Sequence, residues 1–254
     1  MDGEIEFRRA SIEDYDGIMS IRHGVYNGKD YLPSLFMNMM STHKGYVGVC
    51  NEKIVAFECI TFVDDGKTMV TKAIRIKNDM EGQGLTRMMK EFIYRDNQHN
   101  TDIQRLAYSF GKAELLKRVA EGKAELLLKQ ERLYFQASLQ SLQINDLTPT
   151  ERNCSVRKLR KTDMKDIFHS KLKTENLFPD GRIIVNWTPY RLLESNIDIF
   201  CDGSTLILGS NNEMQLHSTE LMTIGFGYSA QVGVVYNLEI FGLLTENNFS
   251  SSYE

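Results

Sequence analysis

The chain has 254 residues, 42% of them hydrophobic and 25% charged, ordinary proportions for one large or two small globular domains. Its formal net charge of −4 leaves no basic footprint for nucleic acid, and clusters such as Arg157-Lys-Leu-Arg-Lys161 read as solvated surface. No run of about 18 apolar residues is present to span a bilayer. The start, Met1-Asp-Gly-Glu-Ile-Glu, is acidic and has no apolar signal segment. Cys50, Cys59, Cys154 and Cys201 are scattered, and the histidines are isolated. The expectation is a cytoplasmic protein with reduced thiols, no metal and no membrane.

Taken in chain order, Ile5–Ala10 reads as a strand. Ser11-Ile-Glu-Asp14 is a helix-capping signal, and Ile12, Tyr15, Ile18, Met19 and Val25 form a helical stripe that ends near Asn27-Gly28. A second helix is expected from Leu32 to Met40, with Pro33 in its first turn. Tyr46–Cys50 and Ile54–Phe62 are strands around a short loop. Asp65-Gly66 turns into a third strand of this group, Thr68–Ile76.

That strand feeds Gly82-Gln83-Gly84-Leu85-Thr86 and then a helix, Thr86–Tyr94. Glycines between a strand and a helix let backbone approach a ligand closely, and the free N–H groups of a first helical turn attract an anion. The motif alone is weak: a plain tight turn is as good a reading. Counting from Gly82, Arg87 stands where a dinucleotide-binding fingerprint needs its third glycine, and the P-loop pattern is absent. The chain continues with a strand at Asp102–Phe110, a helix at Lys112–Ala120 and a β region at Ala124–Leu139, giving the order βααβββαβαββ.

That order, with Gly-x-Gly between the fourth strand and third helix, resembles the GNAT acetyltransferases, whose signature is R/Q-x-x-G-x-G/A. Asp79 stands where Arg or Gln is usual and Glu81 where Arg is usual. Tyr26-Asn-Gly-Lys-Asp-Tyr-Leu-Pro33, Glu58 within Ala56-Phe-Glu-Cys59, Asp64-Asp-Gly66 and Asn186-Trp-Thr-Pro189 look like the histidine N-acetyltransferase group of that family. The resemblance covers the N-terminal half plainly and the C-terminal half thinly. It implies an α/β (α+β) GNAT fold with a mixed central sheet. It also implies acetyl transfer from acetyl-CoA, as co-substrate, to the amine of a small molecule, a free amino acid such as histidine.

The same resemblance gives roles to residues. Glu81, Gly82, Gln83, Gly84, Leu85 and Thr86 would hold the pyrophosphate, and backbone around Ile74, Arg75 and Ile76 would polarise the thioester oxygen. Tyr26, Asp30 and Tyr31 would line the acceptor pocket, although Asp30 reads equally well as a loop cap before Pro33. Glu58, among apolar strand neighbours, is the candidate base, since burial raises a carboxyl pKa toward neutrality. The strand before the glycines offers Lys72 rather than an acid. The helix Lys112–Ala120 has no tyrosine to protonate the leaving thiolate, which leaves Tyr108 and Tyr134 as substitutes.

Residues 141–155 are polar and read as a linker, dividing a domain at 1–140 from a smaller one at 156–254. Val156–Phe168 repeats the pattern of Phe7–Met19 at an offset of 149: an apolar-basic-basic start, an Asp seven places on, and a closing apolar pair. It is either a degenerate second copy of the GNAT unit or the likeness that any basic strand before a capped helix shows. The second half reads as strands at Arg182–Asn186, Ile197–Cys201, Thr205–Leu208, Leu221–Gly225 and Gly233–Phe241. It has no Gly-x-Gly between a strand and a helix. Alternatives are a degenerate binding or scaffold protein and a GNAT acting on a protein or polyamine amine. The oligomeric state is open.

Overall fold

The computed structural model describes residues 4–108, 113–127, 154–212 and 219–242. Their strands and helices are mixed, in the order the sequence predicts for the first half. β1 (Ile5–Arg9) leads through a 3-10 turn to α1 (Tyr15–Ser20) and α2 (Leu32–Thr42). β2 (Lys44–Cys50), β3 (Lys53–Val63) and β4 (Thr68–Ile76) follow, then α3 (Leu85–Asn97), β5 (Arg105–Ala107) and α4 (Ala113–Ala120). These strands form one mixed sheet in chain order, antiparallel except that β4 and β5 run parallel.

Both faces of this sheet are covered. Tyr46, Ala56, Ile60 and Met69 pack against Leu85, Met89 and Ile93 of α3. Those three recur at four-residue spacing, so they share one helix face; burying each contributes about 1.5–3 kcal/mol. Val47, Phe57 and Cys59 point the other way, against Ile18, Leu32, Phe36 and Met39 of α1 and α2. The alternation along β3 therefore assigns its odd residues near 57–59 to one layer and its even residues to the other.

The second half carries β6 (Cys154–Lys158), α5 (Lys161–His169), α6 (Lys171–Leu177), β7 (Arg182–Val185), β8 (Thr188–Arg191), α7 (Glu194–Phe200), β9 (Thr205–Asn212), β10 (Thr219–Ala230) and β11 (Gly233–Gly242). The strands β6, β9, β10 and β11 are neighbours in that order. The order matches β1-β2-β3-β4, with the β7–β8 hairpin and α7 lying in sequence between the first and second of these strands. The repeat extends to side chains. Arg8 pairs with Asp14 at 2.7 Å, and Asp14 accepts the Ser11 amide at 2.8 Å. Arg157 pairs with Asp163 at 2.9 Å, and Asp163 accepts the Arg160 amide at 2.7 Å. All three positions differ by 149.

The residues fall into two compact units. One takes Met1–Ser109, Arg182–Leu206 and Ile224–Glu239; the other takes Phe110–Gly181, Ile207–Thr223 and Ile240–Glu254. Within the first, Asp64 is 1% exposed and knots the β3–β4 turn to the 191–196 segment. Its carboxylate accepts from the Thr68 hydroxyl (2.6 Å), the Arg191 amide (2.9 Å) and Asn196 Nδ2 (2.8 Å), while its own amide donates to Asn196 Oδ1 (2.9 Å).

Three expectations need correction. The first helix ends at Ser20, not near Asn27; Gly24 is left-handed at φ 65, and Tyr26 and Asn27 follow it there in a 3-10 turn. Ile197–Cys201 is not a strand: Ile197–Phe200 ends α7 and Cys201 is its C-cap, because the buried residues of α7, Asn196, Ile197 and Phe200, follow the helical period rather than alternation. Of the strand expected over Asp102–Phe110, the described residues form Arg105–Ala107. Most of Ala124–Leu139 and of the 141–155 segment, with Tyr134, lies outside the described residues. Cys50, Cys59 and Cys201 are free thiols.

Candidate active site

Three features built by β3, β4 and the turn into α3 meet in one place. The first is a bulge. Cys59 pairs with Lys72 and Phe57 with Arg75, so both Ala73 and Ile74 stand opposite Glu58. Ala73 has φ 54, the extra-residue geometry of a β-bulge. β5 pairs only with Thr68–Val70, which leaves the β4 edge beyond Val70, bulge included, without a partner strand among the described residues. The amides of that edge face outward as donors.

The second feature is Glu58 itself. It is fully buried, and neither carboxylate oxygen has a hydrogen-bond partner among the described residues. Its cross-strand neighbour is Tyr46, so its side chain lies on the α3 side. Burial pushes its pKa up to about 7, eased in part by the Lys90 ammonium and by the Thr71 hydroxyl, which falls short of a hydrogen bond. An ionised carboxylate without partners in such a place is expensive, whereas one that changes protonation near neutral pH is suited to accept a proton. Lys90 lies 5.1 Å from the centroid of the Tyr108 ring, so the two expected catalytic residues, Glu58 and Tyr108, flank one lysine.

The third is the turn. Gly82 and Gly84 have φ 77 and 80, and a Cβ on either would meet nothing within 4 Å. Leu85 is buried as the first residue of α3. Among the described residues, the amides of Gly82, Gln83, Gly84, Leu85 and Thr86 donate to no carbonyl, while Gly84 O receives the amides of Arg87 and Met88. That is an anion cradle: open space, free donors and a helix N-terminus. The two acids that depart from the family signature are each matched. Glu81 pairs with Arg22 at 2.7 Å and Asp79 with Lys77 at 3.0 Å. Arg22, at the end of the first helical segment, went unnoticed in the sequence because its partner is 59 positions away.

The expected acceptor residues gather on the opposite face. Asp30 Oδ1 caps α2 through the Leu32 amide at 3.0 Å and pairs with buried Arg75 at 2.6 Å. The cap reading of Asp30 is observed, and the side chain of Arg75, which the sequence offered only as backbone, lies beside it. Tyr31 stacks with Tyr26 at 6.4 Å between ring centroids, and burial pushes the Tyr31 phenol well above its usual range. Tyr26 itself is exposed. A cleft of about 720 Å³ is lined by Met19, Arg22, His23, Asp30, Arg75 and Gln231, among others. Ile76 is buried and Ile74 exposed. Trp187 is exposed, while Tyr190 packs on Phe200. Among the described residues no group of His, Cys, Asp and Glu could hold a metal ion, and no helix is long and apolar enough to cross a membrane.

Residues 152–247 match the family model described as histidine N-acetyltransferase, C-terminal. The chain is 26% identical over 253 residues to histidine N-acetyltransferase of Xenopus tropicalis, covering 95% of this chain and 76% of that protein. It is 24% identical to histidine N-acetyltransferase of Oreochromis niloticus, covering 77% of this chain and 62% of that protein. A solved acetyltransferase of Trypanosoma brucei aligns over 52% of this chain and 100% of its own, with 12% identity and a TM-score of 0.41, a likeness too slight to carry an argument.

Proposed function

The chain is an N-acetyltransferase resembling histidine N-acetyltransferase, and we propose that it transfers acetyl from acetyl-CoA to the amine of a free amino acid such as histidine. The observation that carries this reading is Glu58: a buried carboxylate with no hydrogen-bond partner among the described residues, opposite the bulged stretch of β4 that has no partner strand among them.

Bound acetyl-CoA supplies an activated acyl carbonyl with a thiolate leaving group. The chain's own residues supply the rest. The amides of Gly82–Thr86 and the N-terminus of α3 hold the pyrophosphate. The open β4 edge takes the extended arm as a further strand would be taken, and its outward amides near Ala73–Ile76 stabilise the oxygen on which charge develops. An amine attacks only when neutral, so the ammonium must lose a proton; Glu58, titrating near 7, accepts it across the bulge. Tyr108 is the candidate donor to the leaving sulfur. On the other face, Asp30, Tyr31 and Tyr26 hold the acceptor.

Calorimetric titration with acetyl-CoA, followed by histidine in the same cell, tests this. Binding and then release of free thiol on adding histidine is the expected result. Binding without thiol release would move the choice of acceptor, and no binding at millimolar acetyl-CoA would leave the scaffold reading. Gly84→Val should raise KM for acetyl-CoA at least roughly 10-fold with little change in kcat, because a β-branched residue resists φ near +80 and intrudes on the cradle. An unchanged KM would remove the turn from the cofactor site.

A further inference from the structure

One cation in this region has no counterpart among the described residues. Lys72 sits on β4 immediately before the bulge, paired across the sheet with Cys59, on the layer covered by α1 and α2. It is largely buried, and burial lowers its ammonium to about 8. Among the described residues it makes no salt bridge and no hydrogen bond, whereas Arg75 has Asp30, Arg22 has Glu81 and Lys77 has Asp79. Its neighbours offer it no anion. Burial pushes the Cys59 thiol up to about 12, so it stays protonated. Burial, and then Lys72 itself, hold the His43 imidazole down at about 4, so it stays neutral. Arg75, the next side chain on this layer beyond the bulge, is a second cation.

A desolvated cation without an anion is costly, and the cost is recovered when a ligand brings the missing charge. The place is specific. Lys72 is the residue before Ala73, where the acceptor nitrogen must stand to reach the acyl carbon. In an α-amino acid the carboxylate and the nitrogen are joined to the same carbon. Both can then be held at once, one by Lys72 and one at the bulge.

Resting on the N-acetyltransferase reading, we propose that Lys72 binds the α-carboxylate of the acceptor, which makes it the residue that selects amino acids over amines lacking that group. A polyamine would set its charges against Lys72 and Arg75 and is excluded by the same feature.

The test compares histidine with histamine, which keeps the imidazole and the amine but lacks the carboxylate. The wild-type protein should favour histidine in kcat/KM. Lys72→Met should raise KM for histidine by roughly 100-fold, in the range expected when one partner of a buried charge pair is removed, with kcat within threefold. The preference over histamine should collapse, and Lys72→Arg should restore much of it. Lys72→Met should also melt no lower than wild type, since it removes a buried charge. Equal losses on both substrates, or an undiminished preference, would overturn the assignment. Calorimetric binding of the two ligands decides independently of turnover: histidine bound equally by wild type and Lys72→Met would overturn it. A failure of every amine to be acetylated would instead sink the enzyme reading.

Discussion

Glu58→Gln should inactivate the enzyme and stabilise the protein. As a proton acceptor, Glu58 is worth roughly 10²–10⁴ in rate, so kcat should fall by that factor while acetyl-CoA binding stays intact. In the wild type, kcat/KM should climb as pH passes about 7, where the carboxyl ionises; the variant should lose that limb. The stability effect follows from linkage. The folded pKa lies above that of the unfolded chain, so the folded state holds the extra proton between about 4.5 and 7. Stability contributed by this group is therefore full at low pH and declines as pH rises through that window. By pH 8 the buried carboxylate costs on the order of 3 kcal/mol. Gln carries no charge to bury, so Glu58→Gln should melt higher than wild type at pH 8 and near it at pH 5. Thermal melts at both pH values beside a rate profile check the pair of signs. A variant that is both less stable and less active at pH 8 would mark Glu58 as a packing residue.

Asp64→Ala should be the most destabilising substitution in the first unit. Removing the carboxylate leaves the Thr68 hydroxyl, the Arg191 amide and Asn196 Nδ2 without their acceptor in a site that is 1% exposed. Each deserted buried donor costs about 1–3 kcal/mol; because Asn196 Nδ2 also donates to Arg191 O, we expect ~4 kcal/mol in all. For a chain of this size that lowers Tm by roughly 10 °C. Chemical denaturation of Asp64→Ala, Asn196→Ala and the double variant gives the coupling directly. The double should cost clearly less than the sum, since both singles break one reciprocal pair. Additive losses would mean the two residues act apart.

Much of this molecule is readable in its residues. Thr68–Ile76 is a strand to the residue, Pro33 sits in the first turn of α2, and Gly82 and Gly84 have the left-handed backbone their turn demands. Glu58 was legible because an acid in an alternating apolar run has to be buried with its neighbours. What stayed hidden is what depends on pairing. Nothing in Thr71-Lys-Ala-Ile-Arg75 announces a bulge, because it arises only where that strand is laid against Glu58. The acids at 79 and 81 depart from the family signature, and their ion pairs with Lys77 and Arg22 form only on folding. Ile197-Asp-Ile-Phe-Cys201 was misread because its apolar residues satisfy two periods at once, and burial chose the helical one.

If the 149-residue offset marks a duplication, the chain is its own control experiment. Two copies would have drifted apart under a common requirement to fold, so what both retain would belong to folding and what one has shed to something else. The arginine, the capping amide and the aspartate 149 residues apart are present twice. The glycine turn is not: the Gly-x-Gly of the second copy, Gly225-Phe-Gly227, lies within β10 and opens no helix. Here the division of labour between scaffold and chemistry is written into one polypeptide. Grafting Gly82–Thr86 into the second half would ask whether a glycine turn alone can make an anion cradle on that frame.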